Sequence, residues 1–212
     1  MTTTAPRLYL ATPRLSGAGE SERLATAFAA ALAAADVACL LLRCAPGLDD
    51  DGIRSAVERL RPLAQKHDIA FLIEDRVELA RAMGADGVHL TMAVAYDEAR
   101  RRLGPDMIVG VACRERDDAI DVAEQGADYV AFGDFDDPSP AAAALDLTEW
   151  WGETMTVPCV GTGCAGAADA ARLAEVGADF IAIGAAAWSA LADAVRETAT
   201  ALTIPPPRSG GG

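Results

Sequence analysis

A (β/α)8 (TIM) barrel, an α/β fold, is what this sequence predicts, and three observations predict it. Eight short apolar runs rich in leucine and β-branched residues alternate with eight alanine-rich segments whose apolar residues recur at three- and four-residue spacing. The alternation is strict, and it fits within 212 residues, which leaves room only for trimmed loops. The third observation is a junction written three times, as GADGVHL (84–90), GADYVAF (126–132) and GADFIAI (177–183). In each, a helix-like segment ends (ARAM, VAEQ, LAEV), glycine supplies a left-handed C-cap, alanine turns the corner and aspartate opens the next strand. A doubly wound open sheet is the runner-up architecture.

In chain order, strands are expected at RLYLAT (7–12), VACLLLR (37–43), IAFLIED (69–75), DGVHL (86–90), MIVGVA (107–112), DYVAF (128–132), PCVGT (158–162) and DFIAIG (179–184). Helices fill the intervals, over about 20–35, 52–67, 76–83, 95–103, 116–125, 143–152, 166–176 and 187–202. Glu20, Asp51, Asp117 and Asp118 stand near helix starts, where the helix dipole favours carboxylates. Residues 1–203 read as a single barrel domain, and the segment 204–212, ending in PPPRSGGG, reads as a flexible Pro/Gly tail.

Half the residues (51%) are hydrophobic but only 5% are aromatic, so the core is built from small and branched aliphatic side chains. The formal charge of −14 repels phosphate backbones and anionic membranes, which argues against nucleic-acid and membrane partners. A small phosphorylated ligand is not excluded, because backbone amides and one arginine can hold phosphate inside an acidic protein. A homo-oligomer is compatible with everything in the sequence. The cysteines (Cys39, Cys44, Cys113, Cys159, Cys164) are odd in number and lack a C-x-x-C spacing, which fits reduced thiols in the cytoplasm. The start of the chain lacks a signal-like apolar region, and no apolar run reaches membrane-spanning length.

Chemistry in such barrels sits where loops leave the carboxyl ends of strands. After the third strand come Glu74, Asp75 and Arg76: a carboxylate there suits a divalent metal and an arginine suits phosphate. The plainer reading makes Asp75 a helix cap, with Arg76 paired to it or to Glu78. Arg43 follows the second strand and suits an anionic ligand, or else a bridge to Asp49, Asp50 or Asp51. GTGCAG (161–166) and IGAAAW (183–188) follow strands seven and eight, so Gly161, Gly163, Gly184 and Ala185 are candidate backbone donors to phosphate. The alternative is that tight turns need glycine anyway. GDFDDPSP (133–140) admits a lid or a metal loop, but its composition favours an ordinary exposed turn. Cys44, Cys113 and Cys164 all fall near strand ends; without partner spacing they read as small apolar residues rather than nucleophiles.

The segments LYLAT, LLLR, IAFLIEDRVELARAMGADGVHL, RRLGPDMIVGVAC, GADYVAFGDF, VPCVGTG and GADFIAIGAA together resemble thiamine-phosphate synthase over about residues 7–190, with EDRVELARAMGADGVHL the most specific block. The resemblance implies that hydroxymethylpyrimidine diphosphate is joined to thiazole phosphate. Mg²⁺ helps pyrophosphate depart and the thiazole nitrogen captures the pyrimidine methyl cation. Arg43 matches the arginine of the family's Gln-Leu-Arg-Glu-Lys run, but Leu41, Cys44 and Ala45 replace the glutamine, acid and lysine. Asp75 and Arg76 match Asn-Asp-Arg with Glu74 for the asparagine, which makes Asp75 one Mg²⁺ ligand. His89 matches Gly-Val-His-Leu and serves as a family marker, read as packed in the barrel rather than acting.

The departures are selective. Thr91-Met92-Ala93-Val94 stand for Gly-Gln-Glu-Asp, so the second metal carboxylate is missing; Ala112-Cys113-Arg114 stand where serine or threonine with histidine is expected. The acidic loop 133–140 replaces Thr-Pro-Thr-Lys, and Cys164 and Ala185 replace a glycine and a serine. Three readings follow: a divergent synthase in thiamine biosynthesis, a catalytically silent phosphate-ligand-binding or regulatory paralogue, and a thiazole tautomerase-like protein. The last is weakened by the missing histidine after strand five.

Overall fold

A computed structural model describes residues 5–203; the segment 204–212 expected to be a tail lies outside the described residues. Eight strands, β1 (Arg7–Ala11), β2 (Val37–Leu42), β3 (Ala70–Glu74), β4 (Gly87–Leu90), β5 (Ile108–Cys113), β6 (Tyr129–Phe132), β7 (Cys159–Cys164) and β8 (Phe180–Ile183), form a closed parallel barrel in sequence order. β1 pairs with both β2 and β8, so the open doubly wound alternative is excluded. The outer ring is α1 (Ser21–Leu32), α2 (Asp50–Lys66), α3 (Val77–Met83), α4 (Tyr96–Leu103), α5 (Arg116–Glu124), α6 (Ala142–Thr154), α7 (Ala167–Glu175) and α8 (Leu191–Thr203).

Some boundaries move from the expectation. α2 starts earlier because the Asp49 side chain caps it, accepting from the Gly52 amide at 2.9 Å. α8 starts later because 3-10 turns over Ala185–Ala190 bring Trp188 inward, where its Nε1 donates to the Ala11 carbonyl at 2.7 Å. Glu20 caps nothing with its side chain; it accepts instead from the Ser16 amide and hydroxyl.

The strands' period of two sorts their side chains into two layers. Leu8, Leu10, Leu40 and Leu42 face the helices, while Tyr9, Ala11, Cys39 and Leu41 face the barrel axis with Tyr129, Ala131, Val160 and Ala182. Large rings reach the axis only where a neighbour has none: a Cβ on Gly110 would fall 1.9 Å from the Tyr129 ring.

The repeated junction lies at the bottom of the barrel, and its aspartate has a use the sequence pattern did not disclose. Gly84, Gly126 and Gly177 adopt φ of 64°, 97° and 89°, as the C-cap reading requires. Asp86, Asp128 and Asp179 then bind the preceding strand twice. Their amides donate to the carbonyls of Phe71, Val109 and Cys159, and their carboxylates accept from the amides of the same three residues, each at 2.8 Å. Each aspartate thus satisfies an amide where the ladder begins, which otherwise lacks a partner.

Candidate functional site at the barrel mouth

Arg43 leaves the end of β2 with its side chain 1% exposed, and its guanidinium is fully engaged. Nε donates to Glu74 Oε1 at 3.1 Å, while the two terminal nitrogens donate to both oxygens of Asp136 at 2.8 and 2.7 Å. Asp49, Asp50 and Asp51, expected as its plain alternative partners, are not among the residues it pairs with. Arg14, from the β1–α1 loop, donates to Glu74 Oε2 at 2.5 Å and lies 3.5 Å from Asp136. Burial works against the Arg43 charge, but Asp136 and Glu74 outweigh it and hold the group more strongly protonated than usual. Asp136 is held below the ordinary carboxylate range, chiefly by its bond from Arg43. Glu74, first of the charged trio expected at the mouth, is buried between Arg14 and Arg43.

Asp136 belongs to loop 133–140, and this corrects the expectation of an ordinary exposed turn. Phe135 points into the barrel, 5% exposed, stacked on Tyr9 at 5.8 Å and edge-on to His89 at 5.1 Å. The Arg43 guanidinium lies over its ring at 5.4 Å. An Asx turn sets this conformation, Asp134 Oδ1 accepting from the Asp136 amide at 2.9 Å.

The same loop crosses the candidate phosphate donors. The Phe135 carbonyl accepts from the Ala185 amide at 3.3 Å, and a Cβ on Gly184 would stand 2.0 Å from that oxygen. Gly163, with φ +82°, lies under Ser139 and Pro140, whose backbone a Cβ would meet at 2.7–2.8 Å. Gly161 sits inside β7 against the Leu173 side chain, a close helix–strand contact. Gly163, Gly184 and Ala185 thus all meet this loop at the mouth, and Gly161 lies earlier in β7, within the barrel wall.

Asp75 is exposed, with φ 55°, and neither caps α3 nor pairs with Arg76. Its carboxylate accepts from the Thr91 amide at 2.9 Å and the Thr91 hydroxyl at 2.7 Å. Thr91 begins the tetrapeptide where a second metal carboxylate was sought; its neighbours Met92 and Val94 project into solvent. Among the described residues no three His, Cys, Asp or Glu side chains gather to hold a metal ion. With Asp75 engaged by Thr91 and Glu74 by two arginines, the donor set does not fit Mg²⁺. Arg76 is half-buried and enters no ion pair among the described residues; Glu78 pairs with Arg102 instead.

His89 lies below the mouth and is fully buried. Its Nδ1 meets the Tyr129 hydroxyl at 2.9 Å, which meets Tyr9 at 2.9 Å, and its Nε2 has no partner among the described residues. Burial, then the Arg43 charge, push its pKa down to about 3, so the ring is neutral. Cys44, Cys113 and Cys164 are free and buried, with thiol pKa values pushed up by burial to about 11, 12 and 11. None is an activated nucleophile. The sequence reading missed Arg14, although it follows β1 as Arg43 follows β2; it missed Asp136 and Phe135 because loop composition alone does not show which way a loop folds.

A family model described as thiamine monophosphate synthase matches residues 8–187. Among curated proteins, thiamine-phosphate synthase of Rhodospirillum centenum is 45% identical over 190 residues, covering 86% of this chain and 89% of its own. That of Hyphomonas neptunium is 36% identical over 192 residues, covering 86% of both. Among solved structures, thiamine phosphate pyrophosphorylase from Pyrococcus furiosus superposes with a TM-score of 0.74 at 25% identity, covering 93% of this chain and 95% of its own.

Proposed function

The chain belongs to the thiamine-phosphate synthase family, and from that premise we propose that this thiamine-phosphate synthase-like protein binds a phosphorylated small molecule at the barrel mouth without performing Mg²⁺-assisted diphosphate displacement. The observation that carries this reading is Thr91 occupying both oxygens of Asp75. The carboxylate that would ligate the metal already accepts one bond on each oxygen, Glu74 beside it is held by two arginines, and no group of three His, Cys, Asp or Glu side chains gathers among the described residues. Diphosphate departure needs its developing charge neutralised, and removal of such groups costs several kcal/mol of transition-state stabilisation, of order 10²–10³ in rate for one donor.

What remains suits binding. Arg43 and Arg76 supply positive charge at strand ends, and Arg14 extends the cluster; Gly163, Gly184 and Ala185 supply backbone beside it. The ligand expected is thiazole phosphate or thiamine phosphate, and the protein is expected in the cytoplasm, where its five thiols stay reduced. No helix among the described residues is long and apolar enough to cross a membrane. Calorimetric titration with each phosphate, beside an incubation with both synthase substrates and Mg²⁺, tests the reading: binding without thiamine phosphate above background is the expected result, and absence of binding to either ligand sinks it. A second reading, the complete synthase reaction, is favoured by the 45% identity to a curated synthase; turnover in the same incubation establishes it instead.

A further inference from the structure

Every group assigned above to phosphate, Arg76 excepted, is already met by this protein's own loop 133–140. Asp136 presents two oxygens to the Arg43 fork in the bidentate geometry that a phosphate would take. The Phe135 carbonyl takes the Ala185 amide and covers Gly184, Ser139 and Pro140 cover Gly163, and the Phe135 ring fills the axis above Tyr9 and His89. Charge is balanced within this cluster as well: Arg14 and Arg43 face Glu74 and Asp136, so the two paired arginines have no excess positive charge to offer an anion.

We propose that loop 133–140 is an internal plug whose Asp136 carboxylate and Phe135 carbonyl stand in for ligand oxygens, so that a phosphate-bearing ligand enters only by displacing them. The inference rests on the phosphate-binding reading and adds its gate. Glu74 and Asp136 differ in the way the device needs. Glu74 is 4% exposed and stays as the fixed counter-ion of Arg43, whereas Asp136 is 47% exposed and can leave for water. Once it leaves, the arginine pair exceeds Glu74 by one charge, and the freed fork faces the anion that arrives. A protein whose ligand site is closed by its own chain binds with its intrinsic affinity reduced by the fraction of time the site is open.

The test titrates thiazole phosphate and, separately, thiamine phosphate into wild type, Asp136→Asn and Asp136→Ala, with amide hydrogen exchange followed over residues 133–140. Asp136→Asn keeps the side chain's size and removes its charge. Affinity is expected to tighten roughly tenfold in both variants, as closure is weakened. Exchange at residues 134–137 is expected to rise in the free variants, and to rise in wild type on saturation with ligand. The wild-type exchange measurement needs no variant and stands if a variant fails to fold. Equal or weaker affinity in the variants, or wild-type loop amides that become more protected on saturation, overturns the plug while leaving the binding reading intact. No binding of either ligand by any of the three proteins removes the binding reading and the plug with it.

Discussion

His89 shows how far a single residue can be read. Its place in an apolar strand made burial legible, but Tyr129, the partner of its Nδ1, lies 40 positions away and on another strand. Only closure of the barrel brings the two together, so nothing local in the sequence marks the pair. Arg43 and Asp136, 93 positions apart, were hidden for the same reason, and Thr91 was noticed for what it replaced rather than for what it binds. The buried ring carries a pH consequence. Its folded-state pKa of about 3 lies below the ordinary 6.5, so the unfolded chain takes up this proton first as pH falls. The stability involved is complete above about pH 6.5 and is lost progressively toward pH 3. At pH 5 the loss from this group approaches about 2 kcal/mol. His89→Gln, which keeps a polar partner for the Tyr129 hydroxyl and cannot titrate, should lose less stability than wild type between about pH 7 and pH 5 in urea unfolding. Equal losses in the two proteins would show that protonation of this ring does not limit acid stability.

Among elements, the strands and helices were legible because barrel packing imposes periods of two and 3.6 that survive in the sequence. The β6–α6 loop was not, since its conformation comes from long-range pairing of Asp136 and Phe135 rather than from any repeat. The repeated junction falls between these cases: glycine's cap geometry follows from its place after a helix, whereas the aspartate's bond to the preceding strand required the register β3–β4, β5–β6 and β7–β8. Since the three carboxylates make the same bond, Asp86→Ala, Asp128→Ala and Asp179→Ala should each lower stability by about 1–2 kcal/mol, and the corresponding asparagines by less because an acceptor oxygen remains. The Arg100 pair adds little at Asp128, whose side chain is 44% exposed. Ligand affinity should be unchanged in all three, as the junctions lie at the end of the barrel opposite the mouth. Denaturant titration beside calorimetry separates the two effects; an alanine variant with unchanged stability, or one that binds more weakly, would contradict the bottom-face assignment.

The whole molecule adds a field that neither the residues nor the elements reveal. Its formal charge is −14, while the described ion pairs at the mouth balance one another, so an approaching phosphate meets repulsion at long range and no attraction from those pairs until the loop opens. Range is set by salt: the screening length is about 30 Å at 0.01 M and about 8 Å at 0.15 M. At low ionic strength the ligand senses the acidic surface as a whole, and near physiological salt only the arginines close to it. The association rate of thiamine phosphate should therefore rise by a few-fold over that interval, measured by stopped-flow tryptophan fluorescence, since Trp188 packs over the end of β1 beside the mouth. This is opposite to the behaviour of a phosphate site set in a basic surface, whose association slows as salt is added. A rate that falls with salt would mean that the open mouth projects a positive field strong enough to override the rest of the surface, and would locate recognition in the arginines before the loop moves rather than after.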